Sequence, residues 1–243
     1  MKKERADKII SSQSTITRSE TVKLIRSGKV KINGEVIKDN SLKIDPQTDV
    51  IEINGEVLNC KKFIYIMMNK PGGVVSVSRS PKERTALELL PDNLKRPGLF
   101  PAGRLDKDTT GFLLITNDGE FAHSILSPKR HIKKTYLAST SDYIPEKGLE
   151  EMRAGMVMDG EELLPAEVSL FKEGTNSSGP VYKITLCQGK YHQIKRMTAL
   201  AGGALTSLER ISMGNLTLDP ELAPGEAREL TETEVELIRQ GQK

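Results

Sequence analysis

The stretch GRLDKDTTGFLLITNDG, residues 103–119, limits the possible folds of this chain more than any other segment. A polar loop carrying Arg104, two carboxylates (Asp106 and Asp108) and two threonines runs straight into the apolar GFLLIT, and an Asn-Asp-Gly turn closes the run. A short apolar run bounded by turn residues reads as a buried strand. The loop is therefore pinned to a rigid element, which is where catalytic groups usually sit. The bland reading is that Asp106 or Asp108 caps a turn and Arg104 makes a surface ion pair. DKDTT, residues 106–110, also matches the D-x-D-x-T of phosphatases with an aspartate nucleophile. That chemistry needs its first Asp at the carboxyl end of an apolar parallel strand. Here PAGRL precedes the Asp and the apolar strand follows it, which argues against a phosphatase.

With 243 residues the chain is long enough for one large domain or two modest ones. Residues 17–28, TRSETVKLIRSG, read as a short helix: Thr17 and Glu20 form a capping box, Val22 and Ile25 share a face, and Gly28 ends it. Val30 and Ile32 then alternate with lysines up to the hairpin signal Asn33-Gly34, and Ile51 and Ile53 repeat the pattern up to Asn54-Gly55. After Cys60-Lys61-Lys62 the character changes to the apolar FIYIMMN and the breaker string KPGG, so the domain boundary is expected between residues 60 and 61. Beyond it, strand patterns at 111–116, 135–140, 166–171 and 181–186 mix with helix patterns at 120–126, 146–153, 191–201 and 231–240. The expected fold class is α+β: a small α/β module at 1–60, then a domain at 61–243 with a mixed, mainly antiparallel sheet. Residues 174–180 read as a loop between strands, and the acidic stretch after Leu218 as a surface helix without chemistry of its own.

Charge is uneven. The first 31 residues hold nine Lys or Arg against three acids, whereas beyond Lys62 the balance is 23 against 24. A basic module on a near-neutral body suits a polyanion, because neutralised phosphates release counterions; a solvated helix face is the plain alternative. The chain lacks an apolar run near 18 residues, and MKKERADKII has no apolar segment behind it, so neither a membrane span nor a secretory leader is expected. Cys60 and Cys187 lie far apart, which fits a reducing cytoplasm. Those cysteines and His123, His131 and His192 show no metal-ligand spacing, so no metal is expected.

The 103–119 string resembles the signature GRLDxxTxGLLLLTNDG of the bacterial rRNA pseudouridine synthases of the small-subunit synthase A family. The likeness continues in NKPGG (69–73), KKTYLA (133–138), GKYHQIKRM (189–197), RISMGNLTL (210–218) and LAPGEARELTETE (222–234). TRSETVKLIRSGKVKING resembles the S4 RNA-binding domain, so the likeness covers essentially the whole chain. It departs at Ala6 and Phe112, where Leu is usual, and at Gln188, where Glu is usual.

The resemblance implies isomerisation of a uridine in ribosomal RNA without a cofactor. Asp106 would be the nucleophilic carboxylate, attacking the ribose or the uracil ring, with Lys195 as its cationic partner and Arg196 second in line. A stacked uridine must be flipped out to be reached. Tyr136 would then hold the base and share in proton transfer, Ile194 would wall the pocket, and Arg104 would fill the space the nucleotide leaves. Lys134, in the run KRHIKK (129–134), would track the RNA backbone together with Arg196. Arg5, Arg18, Lys23, Arg26 and Lys29 would hold RNA on the S4 module. Thr109 and Thr110 would shape the loop, and His192 is open between a structural and a catalytic role. The likeness points to small-subunit (16S) rRNA and a cytoplasmic enzyme, and a monomer is the default in the absence of a self-association stripe. The alternatives are a large-subunit (23S) target and a non-catalytic rRNA-binding assembly protein.

Overall fold

The computed structural model describes residues 3–127, 130–175 and 177–240. Lys2 of the basic start, Lys129 of the KRHIKK run and Asn176 of the 174–180 loop lie outside the described residues. The chain divides into two compact units, one running to Ile64 and including Pro91–Leu99, the other holding Tyr65–Leu90 and everything from Phe100 onward.

In the first unit, helices α1 (Ala6–Ser12) and α2 (Arg18–Arg26) accompany a four-stranded antiparallel sheet ordered Glu35–Val36, Val30–Ile32, Ile51–Ile53, Glu56–Val57. The Thr17 hydroxyl accepts from the Glu20 N–H and the Glu20 carboxylate accepts from the Thr17 N–H, which is the expected capping box. Asn33-Gly34 and Asn54-Gly55 all have positive φ and turn the two hairpins. Alternation in the strands buries Val30, Ile32, Ile51 and Ile53 against Ile9, Ile10 and Ile25 of the helices, and Ala6 packs fully buried in the same core. At about 1.5–3 kcal/mol per buried aliphatic side chain, this core is what holds so short a set of strands together.

The second unit is built on a mixed sheet whose main path runs Glu167–Lys172, Val181–Leu186, Lys134–Thr140, Leu205–Met213, Thr110–Thr116, Tyr65–Lys70, Ala227–Glu229. Along that path only Leu205–Met213 and Thr110–Thr116 run parallel. Those two strands meet at Arg210↔Gly111. Gly111 has φ +91°, and a Cβ there would stand 2.3 Å from the Arg210 carbonyl, so close backbone approach demands glycine at this point. The turn after the apolar run becomes a helix cap: Asp118 accepts from the Phe121 N–H at 3.0 Å and opens α3 (Gly119–Leu126).

One core lies where α4 (Glu146–Ala154) and α5 (Gln193–Leu200) bring Met152 and Met197 to Tyr182 and Ile184. Another gathers Phe112, Leu114 and Phe121 with Val235 and Ile238 of α6 (Glu232–Gln240). The stretch after Leu218 is thus more than a surface helix, because Ala227–Glu229 joins the sheet edge and α6 closes the second core. Among the described residues no helix is long and apolar enough to cross a membrane.

Candidate active site

Strand Tyr65–Lys70 pairs with Thr110–Thr116 so that Lys70 faces Gly111, at the end of the 103–109 loop. Lys70 is fully buried, and its ammonium donates to the carbonyls of Pro71 (3.0 Å), Lys107 (3.1 Å) and Thr109 (2.8 Å). Burial pushes its pKa down to about 8 against the pull of the Asp108 and Asp106 charges. The loop is fastened elsewhere too: the Thr109 N–H donates to the Asp106 carbonyl, the Gly73 N–H to the Lys107 carbonyl, and the Leu105 N–H to Ser76 Oγ. Backbone fixed on several sides leaves the Asp106 side chain little choice of direction.

Across from the loop, Lys190 to His192 lead into α5. The Gln193 carboxamide accepts from the Lys190 N–H, and His192 takes left-handed φ +49° immediately before the helix. A non-glycine residue in that region is uncommon and points to a constraint worth explaining. Its effect is visible in the site: His192 Nε2 lies 3.3 Å from Asp106 Oδ1, and Lys195 Nζ lies 3.4 Å from Asp106 Oδ2. Lys195 also donates to both oxygens of Asp108, at 2.8 and 2.9 Å. Burial works to lower the Lys195 pKa, but the Asp108 hydrogen bonds and the two carboxylate charges outweigh it and raise it. The hydrogen bond from Lys195 in turn lowers the Asp108 pKa.

Asp106, 29% exposed at its side chain, borders a cavity of about 80 Å³ shared with Arg104, Tyr136, His192, Ile194 and Lys195. The arrangement offers a half-buried carboxylate flanked by an imidazole and an ammonium, with an aromatic face and an apolar wall nearby. Among the described residues no three His, Cys, Asp or Glu are grouped to hold a metal ion.

The expected residues separate into those at the cavity and those elsewhere. Asp106, Lys195, Tyr136, Ile194 and Arg104 line it. Arg196 pairs instead with Asp159, on the hairpin Val157–Met158/Glu161–Glu162. Lys134 requires a correction. It is 6% exposed, its ammonium donates to the Ile132 carbonyl, and burial with the nearby Arg210 charge pushes its pKa down to about 8, so it does not present itself to a phosphate. In the first unit, Lys23, Arg26 and Lys29 are exposed. Arg5 and Arg18 both bond the buried Asp7, whose carboxyl, despite burial, is held well below its usual range by Arg5, Asn40 and Arg18.

Comparison with known proteins interprets this geometry. A model of the RNA pseudouridylate synthase family matches residues 64–200, and a model of the S4 domain matches residues 4–51. The chain belongs to the RNA pseudouridylate synthase family. An uncharacterized RNA pseudouridine synthase of Bacillus subtilis is 41% identical over 98% of this chain and 99% of that protein. The ribosomal small subunit pseudouridine synthase A of Vibrio cholerae is 39% identical over 96% and 99%, and that of Escherichia coli 35% over 95% and 98%. A crystal structure of a pseudouridylate synthase superposes with a TM-score of 0.66 at 36% identity, covering 97% of this chain and 99% of that one.

Two features of the synthase escaped sequence reasoning. Asp108 competes for Lys195, which no spacing rule foretells because loop residues two apart can face either way. Lys70 fastens the loop, and its signal was available: a lysine ending an apolar strand, directly before Pro-Gly-Gly, has its ammonium inside the fold.

Proposed function

We propose that the synthase isomerises a specific uridine of ribosomal RNA, in the small subunit (16S), with Asp106 as the nucleophile. The observation carrying this reading is the Asp106 carboxylate set at the cavity between His192 Nε2 (3.3 Å) and Lys195 Nζ (3.4 Å). The names of the Vibrio cholerae and Escherichia coli relatives, both small-subunit synthases, support the target.

In the reaction the N1–C1′ bond breaks, the uracil rotates, and a C5–C1′ bond forms. The proton leaves C5 and N1 gains one, so no atom or electron is gained or lost overall. The flipped base rests on the Tyr136 ring beside Ile194. Asp106 supplies the attacking electron pair, while Lys195 balances its charge and the His192 ring beside it helps hold its direction. Arg104, exposed at the rim, meets the RNA from which the base has left.

Residues 1–60 serve as the RNA-holding module and 61–243 as the catalytic domain of a cytoplasmic monomer. Supporting RNA holding by the first unit is a cavity of about 500 Å³ bordered by Arg18 together with Lys95 and Arg96, the last two from the Pro91–Leu99 segment that this unit includes.

The test is carbodiimide and primer-extension mapping of small-subunit rRNA after incubation with wild type or Asp106→Asn. One new stop made by wild type alone is expected. A stop on large-subunit rRNA instead reassigns the target, and no stop on either, despite tight binding, overturns catalysis in favour of an rRNA-binding protein.

A further inference from the structure

An aromatic ring stacked on the imidazole that contacts the nucleophile has no role in the chemistry just described. Tyr191 is 73% exposed, more than any other large hydrophobic residue among those described. Its ring stacks on His192 with centroids 3.8 Å apart and planes 20° from parallel. The same imidazole lies 3.3 Å from Asp106. Two consecutive residues thus form a stacked pair with an imidazole at the nucleophile and a phenol ring largely in solvent. The left-handed backbone of His192 is part of what allows neighbouring side chains to stack in this way.

Neither ring is explained by folding. Tyr191 belongs to none of the apolar cores, and an aromatic so exposed contributes little to stability. The chain has only five Tyr, five Phe and no Trp, so a ring spent on the surface beside the cavity stands out. Its sequence neighbour Lys190 lines the cavity, as does Lys195, the third residue of α5. Exposed rings beside basic side chains are how proteins seat unpaired bases, because every base has a π-face to stack. When one nucleotide is flipped, its neighbours lose a stacking partner and have a face to offer.

We propose that Tyr191 is a stacking platform for a nucleobase flanking the target uridine. The stack then runs from RNA base through Tyr191 to His192, coupling the seating of the strand to the group that contacts Asp106. The proposal rests on the reading of the chain as an rRNA pseudouridine synthase and adds a second base-binding position to it.

The test uses the full chain and a small-subunit rRNA transcript carrying 5-tritiated uridine. Tyr191→Ala is expected to raise KM about 5- to 100-fold with kcat changed by less than about threefold, and Tyr191→Phe to recover most of that loss, since the ring and not the hydroxyl stacks. Tyr191→Trp, placed in the Asp106→Asn background, makes the chain's sole tryptophan a reporter whose fluorescence is expected to be quenched as the transcript saturates the protein. An unchanged KM for Tyr191→Ala, or a kcat loss that Tyr191→Phe does not recover, overturns the proposal, as does a tryptophan indifferent to saturating RNA. A wild type that releases no tritium from small- or large-subunit rRNA removes the underlying reading instead, and the proposal with it.

Discussion

Lys195 Nζ lies 3.4 Å from Asp106 Oδ2. The same ammonium is nearer to Asp108, at 2.8 Å, so the nucleophile shares its cation with a carboxylate that is largely in solvent. Removing that competitor leaves Lys195 to Asp106 alone, whereas removing Lys195 leaves Asp106 with His192. Asp108→Asn is expected to change kcat by less than about tenfold. Lys195→Met is expected to lower it about 100-fold or more, with RNA affinity held within about threefold. Single-turnover kinetics with parallel binding curves measure both; equal losses for the two variants contradict the assignment of Lys195 to Asp106.

Lys70 acts at one remove. Two of its three carbonyl bonds, to Lys107 and Thr109, hold the backbone on either side of Asp108, and a displacement of about 1 Å in a catalytic group costs on the order of 100-fold in rate. Lys70→Met is therefore expected to lose about two orders of magnitude in kcat at a temperature where urea titration shows it folded. Wild-type kcat in a folded Lys70→Met protein rules out the loop-fastening role.

The pH dependence of stability has a definite sign. Burial lowers both Lys70 and Lys134 from 10.5 to about 8. Between those values the unfolded chain binds more protons than the folded one, so these groups make stability rise with pH from about 8 to 10.5 and contribute no slope at neutral pH and below. For Lys134, holding the charge in the fold costs ~3 kcal/mol below pH 8. Urea unfolding at pH 7, 8, 9 and 10 is expected to show a shallower rise for Lys134→Met than for wild type. Parallel curves for the two proteins contradict a buried, depressed Lys134.

On the first unit, Arg5 and Arg18 are engaged by Asp7 while Lys23, Arg26 and Lys29 are exposed. Changing those three together to Gln is expected to reduce the slope of log K against log salt by about 2–3, as read from filter binding between low and physiological salt. An unaltered slope moves the phosphate contacts elsewhere.

Much of this architecture can be read from local patterns, and the exceptions have a common cause. The capping box at Thr17, the two Asn-Gly hairpins and the strand Thr110–Thr116 follow from neighbouring residues alone, and all are present. Strand Leu205–Met213 sits in the middle of the sheet yet was not among the strand patterns. One of its fully buried positions is Arg210, whose Nε donates to the Phe112 carbonyl at 2.7 Å, so a charged residue interrupts the apolar alternation. Ala227–Glu229 was missed for a related reason: it joins the edge through backbone pairing and carries polar side chains. The misreading of Lys134 is of the same kind. In a run of lysines it looks solvated, but it lies in a central strand of the sheet on the same face as Tyr136 and Ala138, and its ammonium turns back to the Ile132 carbonyl.

The site was legible as a segment and illegible as a set of contacts. The loop with Asp106 and the helix with Lys195 both stood out, because polar residues fixed to apolar elements do. That Lys195 divides itself between Asp106 and Asp108, and that His192 reaches Asp106 from a left-handed backbone, depends on how the 103–109 loop and the 188–193 turn approach across the sheet. Long-range packing sets that approach.

In the proposed reaction Asp106 serves to break a uridine glycosidic bond so that carbon C5 takes the place of N1. Tritium release from 5-tritiated uridine in small-subunit rRNA tests it most directly, since C5 must lose its hydrogen. One equivalent of tritium released per RNA is expected from wild type and none from Asp106→Asn, with both proteins binding the RNA equally well. Release by Asp106→Asn at the wild-type rate would contradict it.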